Sequence, residues 1–461
     1  MVDALALGAS GATHGGSSPL PRTKIIMNLP LQPVKGARDF YPEDKLKQDY
    51  MFSVIRNTVK QYGYEEYDAP ILESLDLYLA KSGEEIVKEQ TYTFIDRGGR
   101  KVAIRPEMTP TVSRMVAARR QQLNYPLRWF SIPNLWRYER PQRGRLREHW
   151  QVNVDIFGVN SLQAELELIM VSNAIFSAFK ATSSMFLIKL NHRSLMDLIF
   201  HDYLELDREQ AQKMAKLIDR MNKMVHSKFL DQVDSILTPL QKETGISEKI
   251  IGLLTIKNIN DLPEAIIKSL PVVQLKQLMD SCRHHGIDNV AFDISLMRGF
   301  DYYSGLVFEV FDTHEDNNRS MMGGGRYDGL VSLFGVEPIA TVGFGLGDAT
   351  LANFLDIHGL MPTLSTQTSV YVAIINEEVT SQAIAAANKL RDQGINVAID
   401  FSAKKLGDQL KTAQKKQINL VMIVGQNEVS TNRYTLKNLT TSNESKLSLE
   451  QIAKLASSQS I

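Results

Sequence analysis

The sequence predicts an α+β domain on a mainly antiparallel sheet, interrupted by a helical insertion and followed by a C-terminal α/β domain. Three observations lead there. Strand patterns over 127–138 and 149–157 are followed by a helical pattern over 161–180, without regular βαβ alternation. Residues 193–287 read as helix almost throughout, with Met214, Leu217, Met221, Met224 and Val225 at helical spacing. After 369, short strand and helix patterns alternate, as in a small α/β unit.

Taken in chain order, residues 1–27 are small, Gly/Ser-rich and almost without acid, which reads as a disordered leader or a mis-assigned start with Met27 as initiator. An organelle transit peptide is the sharper alternative, with only Arg22 and Lys24 as charge. Over 44–62, Tyr50, Met51, Val54, Ile55 and Val59 have helical spacing and Gly63 closes the helix. Residues 65–72 alternate like a strand, and Pro70 marks it as an edge or interface strand because proline cannot donate to a ladder. In the helix over 161–180, Leu162, Leu166, Ile169 and Met170 are expected to face inward. The expected organisation is one domain from 28–192 and 288–359, the helical insertion 193–287, a Pro/Ser/Thr linker at 360–368, and a last domain from 369–461.

Composition narrows the function classes. A length of 461 residues calls for two or three domains. Hydrophobic content of 43% and charged content of 23% are those of a soluble globular protein. Lys+Arg and Asp+Glu each total 52, so nucleic-acid binding has to come from local patches. Cys282, the single cysteine, excludes an intrachain disulfide and a thiolate metal site, and fits a reducing, cytoplasmic setting. No apolar run approaches the ~20 residues that span a bilayer, so no membrane association is expected.

Chemistry concentrates in two stretches. Residues 137–151 read Arg-Tyr-Glu-Arg-Pro-Gln-Arg-Gly-Arg-Leu-Arg-Glu-His-Trp-Gln, and residues 298–305 read Arg-Gly-Phe-Asp-Tyr-Tyr-Ser-Gly. Arginine's planar fork holds phosphate bidentately and keeps its charge at any working pH. Two arginine sites, one of them set among tyrosines, point to a nucleotide whose phosphates are held while a nucleophile attacks. That is adenylate chemistry.

Together with Gly36-Ala-Arg-Asp-Phe-Tyr-Pro-Glu-Asp44 and Arg105-Pro-Glu-Met-Thr109, these stretches resemble the histidyl-tRNA synthetases, of the class II aminoacyl-tRNA synthetases, over about 31–456. The resemblance makes the first domain catalytic and the last anticodon-binding. The segment ending at Pro70 resembles the first class motif, which builds a homodimer interface. In the second motif, Arg137 would contact the ATP α-phosphate, Glu139 the adenine amino group, and His149 would stack on the adenine ring. Arg140 and Gln142 would meet the tRNA acceptor end. Arg298 would join Arg137 as a catalytic cation. Glu107 and Thr109 would hold the substrate ammonium, with Gln151 and Asp155 also facing the amino acid. Tyr302 would line the pocket, with Tyr303 and Tyr327 near the imidazole. The family implies ATP with Mg2+, L-histidine and tRNA(His) as substrates and partners.

Two positions depart from the pattern. Many members carry Glu where Asp155 stands. In the third motif, Gly343-Phe-Gly-Leu-Gly347 is followed by Asp348-Ala349-Thr350, without the arginine that holds the γ-phosphate. No Lys or Arg lies between Arg326 and Lys389, so a shift of register restores nothing. Arg145 with magnesium is the expected substitute, Arg326 being expected to pair with Asp328 or another carboxylate. Lys404, Lys405, Lys411, Lys415 and Lys416 form a stripe on or beside one C-terminal helix, either a solvated face or a phosphate contact. Two other readings compete: a non-catalytic paralog that regulates the first enzyme of histidine biosynthesis, and a sensor domain of a kinase. Retained arginines and a full terminal domain weigh against the first, and the missing kinase segment against the second.

Overall fold

The computed structural model describes residues 30–79, 90–142, 144–221, 224–297, 303–317, 319–364 and 366–458. The expectations for residues 1–27, Arg298 and Tyr302 fall outside them. The first helix, Pro42–Gln61, starts on a proline whose missing N–H costs nothing there, with Glu43 and Asp44 in its first turn. Its Met51, Phe52, Ile55 and Val59 are buried.

The main sheet holds β1 (Glu65–Glu66), β5 (Leu127–Ser131), β6 (Asn134–Trp136), β7 (Glu148–Phe157), β8 (Phe186–His192), β9 (Val290–Phe292), β10 (Leu306–Asp312), β11 (Ser320–Arg326) and β12 (Thr341–Gly347). Their order is β1-β5-β7-β12-β11-β10-β8-β9, with β6 also paired to β7. The sheet is mixed. Its centre is antiparallel, but β1 runs parallel to β5 and β9 parallel to β8. Both parallel pairs sit at the ends, where helical crossovers return the chain in the same direction.

Two expected strands are shorter than their patterns. The 65–72 segment splits into β1 and β2 (Leu72–Ser74), and β2 joins β3 (Thr93–Ile95) and β4 (Lys101–Ile104) in a separate sheet ordered β2-β4-β3. The 127–138 strand breaks at Pro133, which has no N–H to give but whose carbonyl accepts from Gln151 N.

Period-two alternation on β7 decides what each face does. Val152, Val154 and Ile156 enter the main core with Ile55 and Val59 of the first helix and Leu168, Ile169 and Ile175 of the Leu162–Ala178 helix. His149, Gln151, Asn153 and Asp155 take the other face. Of the inward set expected for the latter helix, Ile169 is buried in the core and Leu166 and Met170 pack half-buried against it. The exception is Leu162, which is half-buried without joining that cluster. Glu165 is buried beside them, where Arg326 meets it.

Among its described residues the segment from Arg193 to His284 carries helices joined by short connections and no strand, including a π-helical turn at Leu198–Tyr203. Val225, expected at helical spacing, is exposed just before the His226–Ile236 helix. Capping boxes start the Arg208–Arg220 and Pro239–Glu243 helices, and their glutamines, Gln210 and Gln241, bond each other at 2.8 Å. Its apolar side chains join the core of the sheet, with Met214, Leu275, Leu278 and Cys282 in the same cluster as Ile188 and Leu190. Burial pushes the Cys282 thiol up to about 12, which leaves it an inert core residue.

After Gly359, β13 (Val370–Ile374), β14 (Val397–Ile399), β15 (Leu420–Val424), β16 (Tyr434–Asn438) and β17 (Glu444–Leu447) form a second mixed sheet, ordered β14-β13-β15-β16-β17. The β16–β17 hairpin and the final Leu449–Ser458 helix add to the alternation read from the sequence. The lysine stripe flanks the Leu406–Lys415 helix, and all five lysines are exposed.

Leu278→Ala removes a side chain buried where the helical segment meets the sheet. It is expected to cost about 2–5 kcal/mol, read as a lower urea midpoint with both segments still unfolding in one transition.

Candidate active site

Register turns the non-core face of the sheet into a groove. Opposite Gln151, Asn153 and Asp155 of β7 stand Gly347, Gly345 and Gly343 of β12. Opposite Gly345 and Gly343 stand Gly323 and Gly325 of β11, and opposite these Glu309 and Val307 of β10. Directly paired residues of an antiparallel ladder project to the same side. Polar β7 side chains therefore lie over a glycine floor. A Cβ on Gly345 would fall 1.9 Å from Gln151 Nε2, and one on Gly343 would fall 2.1 Å from Asp155 Oδ1. At Gly343 the space is also bounded by the Tyr327 hydroxyl and the Val154 carbonyl, whereas at Gly345 only the movable Gln151 side chain would have to shift.

Asp155 is buried and accepts a hydrogen bond from the buried Tyr327 hydroxyl. The Tyr303 ring is 6.3 Å from that of Tyr327 and lies over Gly325. Asp155, Tyr303 and Tyr327 thus converge at one end of the groove. Gln151 is tied to Asn153, its Nε2 donating to Asn153 Oδ1 at 3.1 Å. Asn153, on the same face, was not singled out in the sequence.

The second motif lies toward the other end. Arg137 Nε donates to Pro106 O at 2.8 Å, which ties it to the Arg-Pro-Glu segment carrying Glu107 and Thr109. That segment is anchored by Arg105, which is 3% exposed and donates to Asn134 O at 3.0 Å and Ala69 O at 2.6 Å. Thr109 opens the Thr109–Arg119 helix. The structure therefore brings Arg137, Glu107 and Thr109 together from distant parts of the sequence.

His149 is partly buried on the groove face, and its Nδ1 is buried without a hydrogen bond. Burial first, then the Arg137, Arg38 and Arg145 charges, drop its pKa to about 3. It is neutral at pH 7, which suits a ring stacked on a base. The hairpin that follows Arg137 is closed by paired Gln142 and Arg145 backbones. Arg140 is exposed, and exposed Gln142 accepts from Arg319 at 2.9 Å, a contact with no sequence signal.

Arg145 grips Glu139 with two hydrogen bonds, Nη2 to Oε1 at 2.8 Å and Nε to Oε2. Arg326 is buried and bidentate on Glu165, at 2.5 Å and 2.8 Å, with Asp328 at 3.3 Å. It is a structural cation. Where the third-motif arginine is absent, Thr350 Oγ1 turns back to Gly347 O at 2.9 Å. Two residues earlier, buried Asp348 accepts from Trp150 N at 3.0 Å and pairs with Arg38 at 2.6 Å. Arg38 was quoted in the sequence only as part of the N-terminal signature.

This arrangement has known counterparts. A profile described as "Histidyl-tRNA synthetase" matches residues 36–351, most of the chain. The chain belongs to the histidyl-tRNA synthetase family. A second profile, "Anticodon binding domain", matches residues 369–459. The histidine–tRNA ligase of Leptospira biflexa is 45% identical over 413 residues, covering 89% of this chain and 93% of that protein. The chloroplastic/mitochondrial enzyme of Arabidopsis thaliana is 33% identical over 453 residues, covering 96% and 91%. Among solved structures, histidyl-tRNA synthetase from Nostoc sp. PCC 7120 aligns over 94% of this chain and 100% of its own, with a TM-score of 0.77 at 23% identity, a likeness of fold. A Bacillus halodurans protein titled ATP phosphoribosyltransferase regulatory subunit/histidyl-tRNA synthetase also shares the fold, at TM-score 0.69 and 21% identity.

Two outcomes test the groove. Gly345→Ala places a methyl group where the Gln151 amide lies, and is expected to raise the Michaelis constant for histidine with little change in melting temperature. His149 has a folded pKa near 3 against 6.5 when unfolded. Between those values the unfolded chain binds the proton that the folded chain refuses, so stability falls as pH drops from 6.5 toward 3. His149→Phe should flatten that acid limb in urea unfolding measured at stepped pH.

Proposed function

We infer that the groove activates histidine with ATP and then passes the histidyl group to the 3′ end of tRNA(His). The observation that carries this reading is the joining of an amino-acid end (Asp155, Tyr303, Tyr327) to a cationic end (Arg137) on one glycine-floored face. The Arg137 bond to Pro106 brings Glu107 and Thr109 to the junction. Glu107 and Thr109 hold the ammonium, and Gln151 with Asp155 orients the rest of the amino acid. Tyr303 and Tyr327 line the imidazole pocket, and Tyr302, outside the described residues, keeps the pocket role that the family resemblance implies. A site built to hydrogen-bond that ring rejects analogues lacking its donor and acceptor.

The histidine carboxylate attacks the α-phosphorus, forming a carboxyl–phosphate bond while the bond to pyrophosphate breaks. Arg137 and Arg298 stabilise the charge that builds there. His149, neutral, stacks on adenine and Glu139 accepts from its amino group. This role requires Glu139 to leave Arg145, which then turns to the triphosphate. ATP binding thus exchanges one ion pair for two ligand contacts. Magnesium arriving with the triphosphate would neutralise charge on the leaving pyrophosphate.

Arg140 and Gln142, exposed on the hairpin, meet the acceptor end, and the residues after 369 bind the anticodon arm. A homodimer is supported by the small sheet, where Ile71, Leu72, Phe94 and Ile95 are exposed beside Pro70. A cytoplasmic setting is supported by the lone cysteine, Cys282, buried and free.

Wild-type protein is expected to catalyse histidine-dependent ATP–pyrophosphate exchange. Arg298→Ala should slow it about 10²–10³-fold, the cost of one preorganised charge donor, while histidine binding by calorimetry stays near wild type. Absence of exchange at every magnesium concentration would transfer the chain to the regulatory reading.

A further inference from the structure

The third motif lacks its arginine, and the structure holds a different one at that point. Arg38 belongs to the Gly36–Phe40 segment, which is clamped to the start of β7: Arg147 N and Glu148 N both donate to Gly36 O, at 3.0 Å and 3.1 Å. Gly36 has φ +90°, and a Cβ there would lie 2.8 Å from the Arg147 side chain, so the clamp calls for glycine. From this clamp Arg38 reaches the first residue of the Asp348–Ile357 helix, donating to Asp348 Oδ2 at 2.6 Å. Its guanidinium lies 4.9 Å from the Phe40 ring centroid and 5.8 Å from that of Trp150, a cation held by two aromatic walls.

The first turn of that helix carries little charge. Asp348 is its one charged residue, and it is 2% exposed in the side chain. Left unpaired, it would oppose any triphosphate brought to this end of the groove. Asp348 is saturated by Trp150 N–H and Arg38, whereas the Arg38 side chain remains 27% exposed, open enough for a phosphate oxygen to reach. Thr350 has turned its hydroxyl to the Gly347 carbonyl and offers no charge. Arg145 is held by both oxygens of Glu139 until ATP draws that carboxylate away, so Arg38 is the cation that already stands at this helix start before the exchange.

We propose that Arg38 is the cation that takes over triphosphate binding from the missing third-motif arginine, with Asp348 as the positioning residue that aims it. On this reading Asp348 and Thr350 are one coupled departure: the helix loses its own arginine and gains a carboxylate that holds another from the N-terminal segment. Arg38, like Arg137 and Arg145, also acts on His149. The proposal rests on the ligase reading above and deepens its ATP site.

A double-mutant cycle in the full-length protein tests it, read by histidine-dependent ATP–pyrophosphate exchange. Arg38→Gln, which keeps length but not charge, should raise the Michaelis constant for ATP about ten- to a hundredfold, the worth of a charge-assisted phosphate contact. The constant for histidine should move far less. Thr350→Arg, which restores the motif, should rescue most of that loss in the Arg38→Gln background and do little in wild type. Arg38→Lys should retain an intermediate ATP constant. A purely structural Arg38 predicts otherwise: both constants shift, the melting temperature falls, and Thr350→Arg rescues nothing. That pattern, or an unchanged ATP constant in Arg38→Gln, overturns the proposal. Should Arg38→Gln not fold, Asp348→Asn supplies the same reading, since loss of the anchor should raise the ATP constant and Thr350→Arg should restore it. Failure of wild type to catalyse exchange would instead remove the ligase reading itself.

Discussion

Everything in the groove depends on the pairing of long polar side chains on β7 with glycines on β12 and β11. An antiparallel register places Gln151, Asn153 and Asp155 side by side with Gly347, Gly345 and Gly343, and then with Gly323 and Gly325. Were those positions filled, the face would close over as an ordinary sheet surface. Left as glycine, they let Gln151 and Asp155 lie across the floor. The opposite face of the same strand is apolar and fixed in the core, so a one-residue slip would drive the polar set into the core. Core packing thereby sets the register of the site.

The second theme is that the site's arginines are not idle charges. Arg105 is satisfied by carbonyls, Arg326 by Glu165, Arg145 by Glu139 and Arg38 by Asp348. A cation taken out of water without such partners costs several kcal/mol, about 3–5 when one member of a buried pair is removed. The pairs fall into two kinds. Arg105 and Arg326 are buried and hold segments together. Arg145 and Arg38 keep part of their surface in solvent, 51% and 27% of the side chain, and so can exchange or share their partners with an incoming phosphate.

Much of this was legible in the sequence because it is local. The glycine runs, the Arg-x-Glu and Arg-Pro-Glu motifs and the helical stretch 193–287 are short patterns whose physics acts within a few residues. Their reach ended where partners are distant. Arg326 sits beside Asp328 in sequence, yet its principal partner is Glu165. Leu166, Ile169 and Met170 follow a helical stripe and do meet the core, yet that stripe gives no sign of Glu165, buried beside them against Arg326. The strand read over 127–138 broke at a proline whose effect depends on the ladder it joins.

The sequence by itself determined the two-part organisation, the family resemblance and the identity of the charged and aromatic side chains available for chemistry. It also showed that the third motif has no arginine of its own. Only the tertiary structure decided which residues meet: Asp155 with Tyr327, Arg137 with Pro106, and Arg38 with Asp348, separated by 310 residues. The physical reason is that a side chain's pattern states what it can bind, whereas its partner is chosen by sheet register and core packing, which are properties of the whole chain.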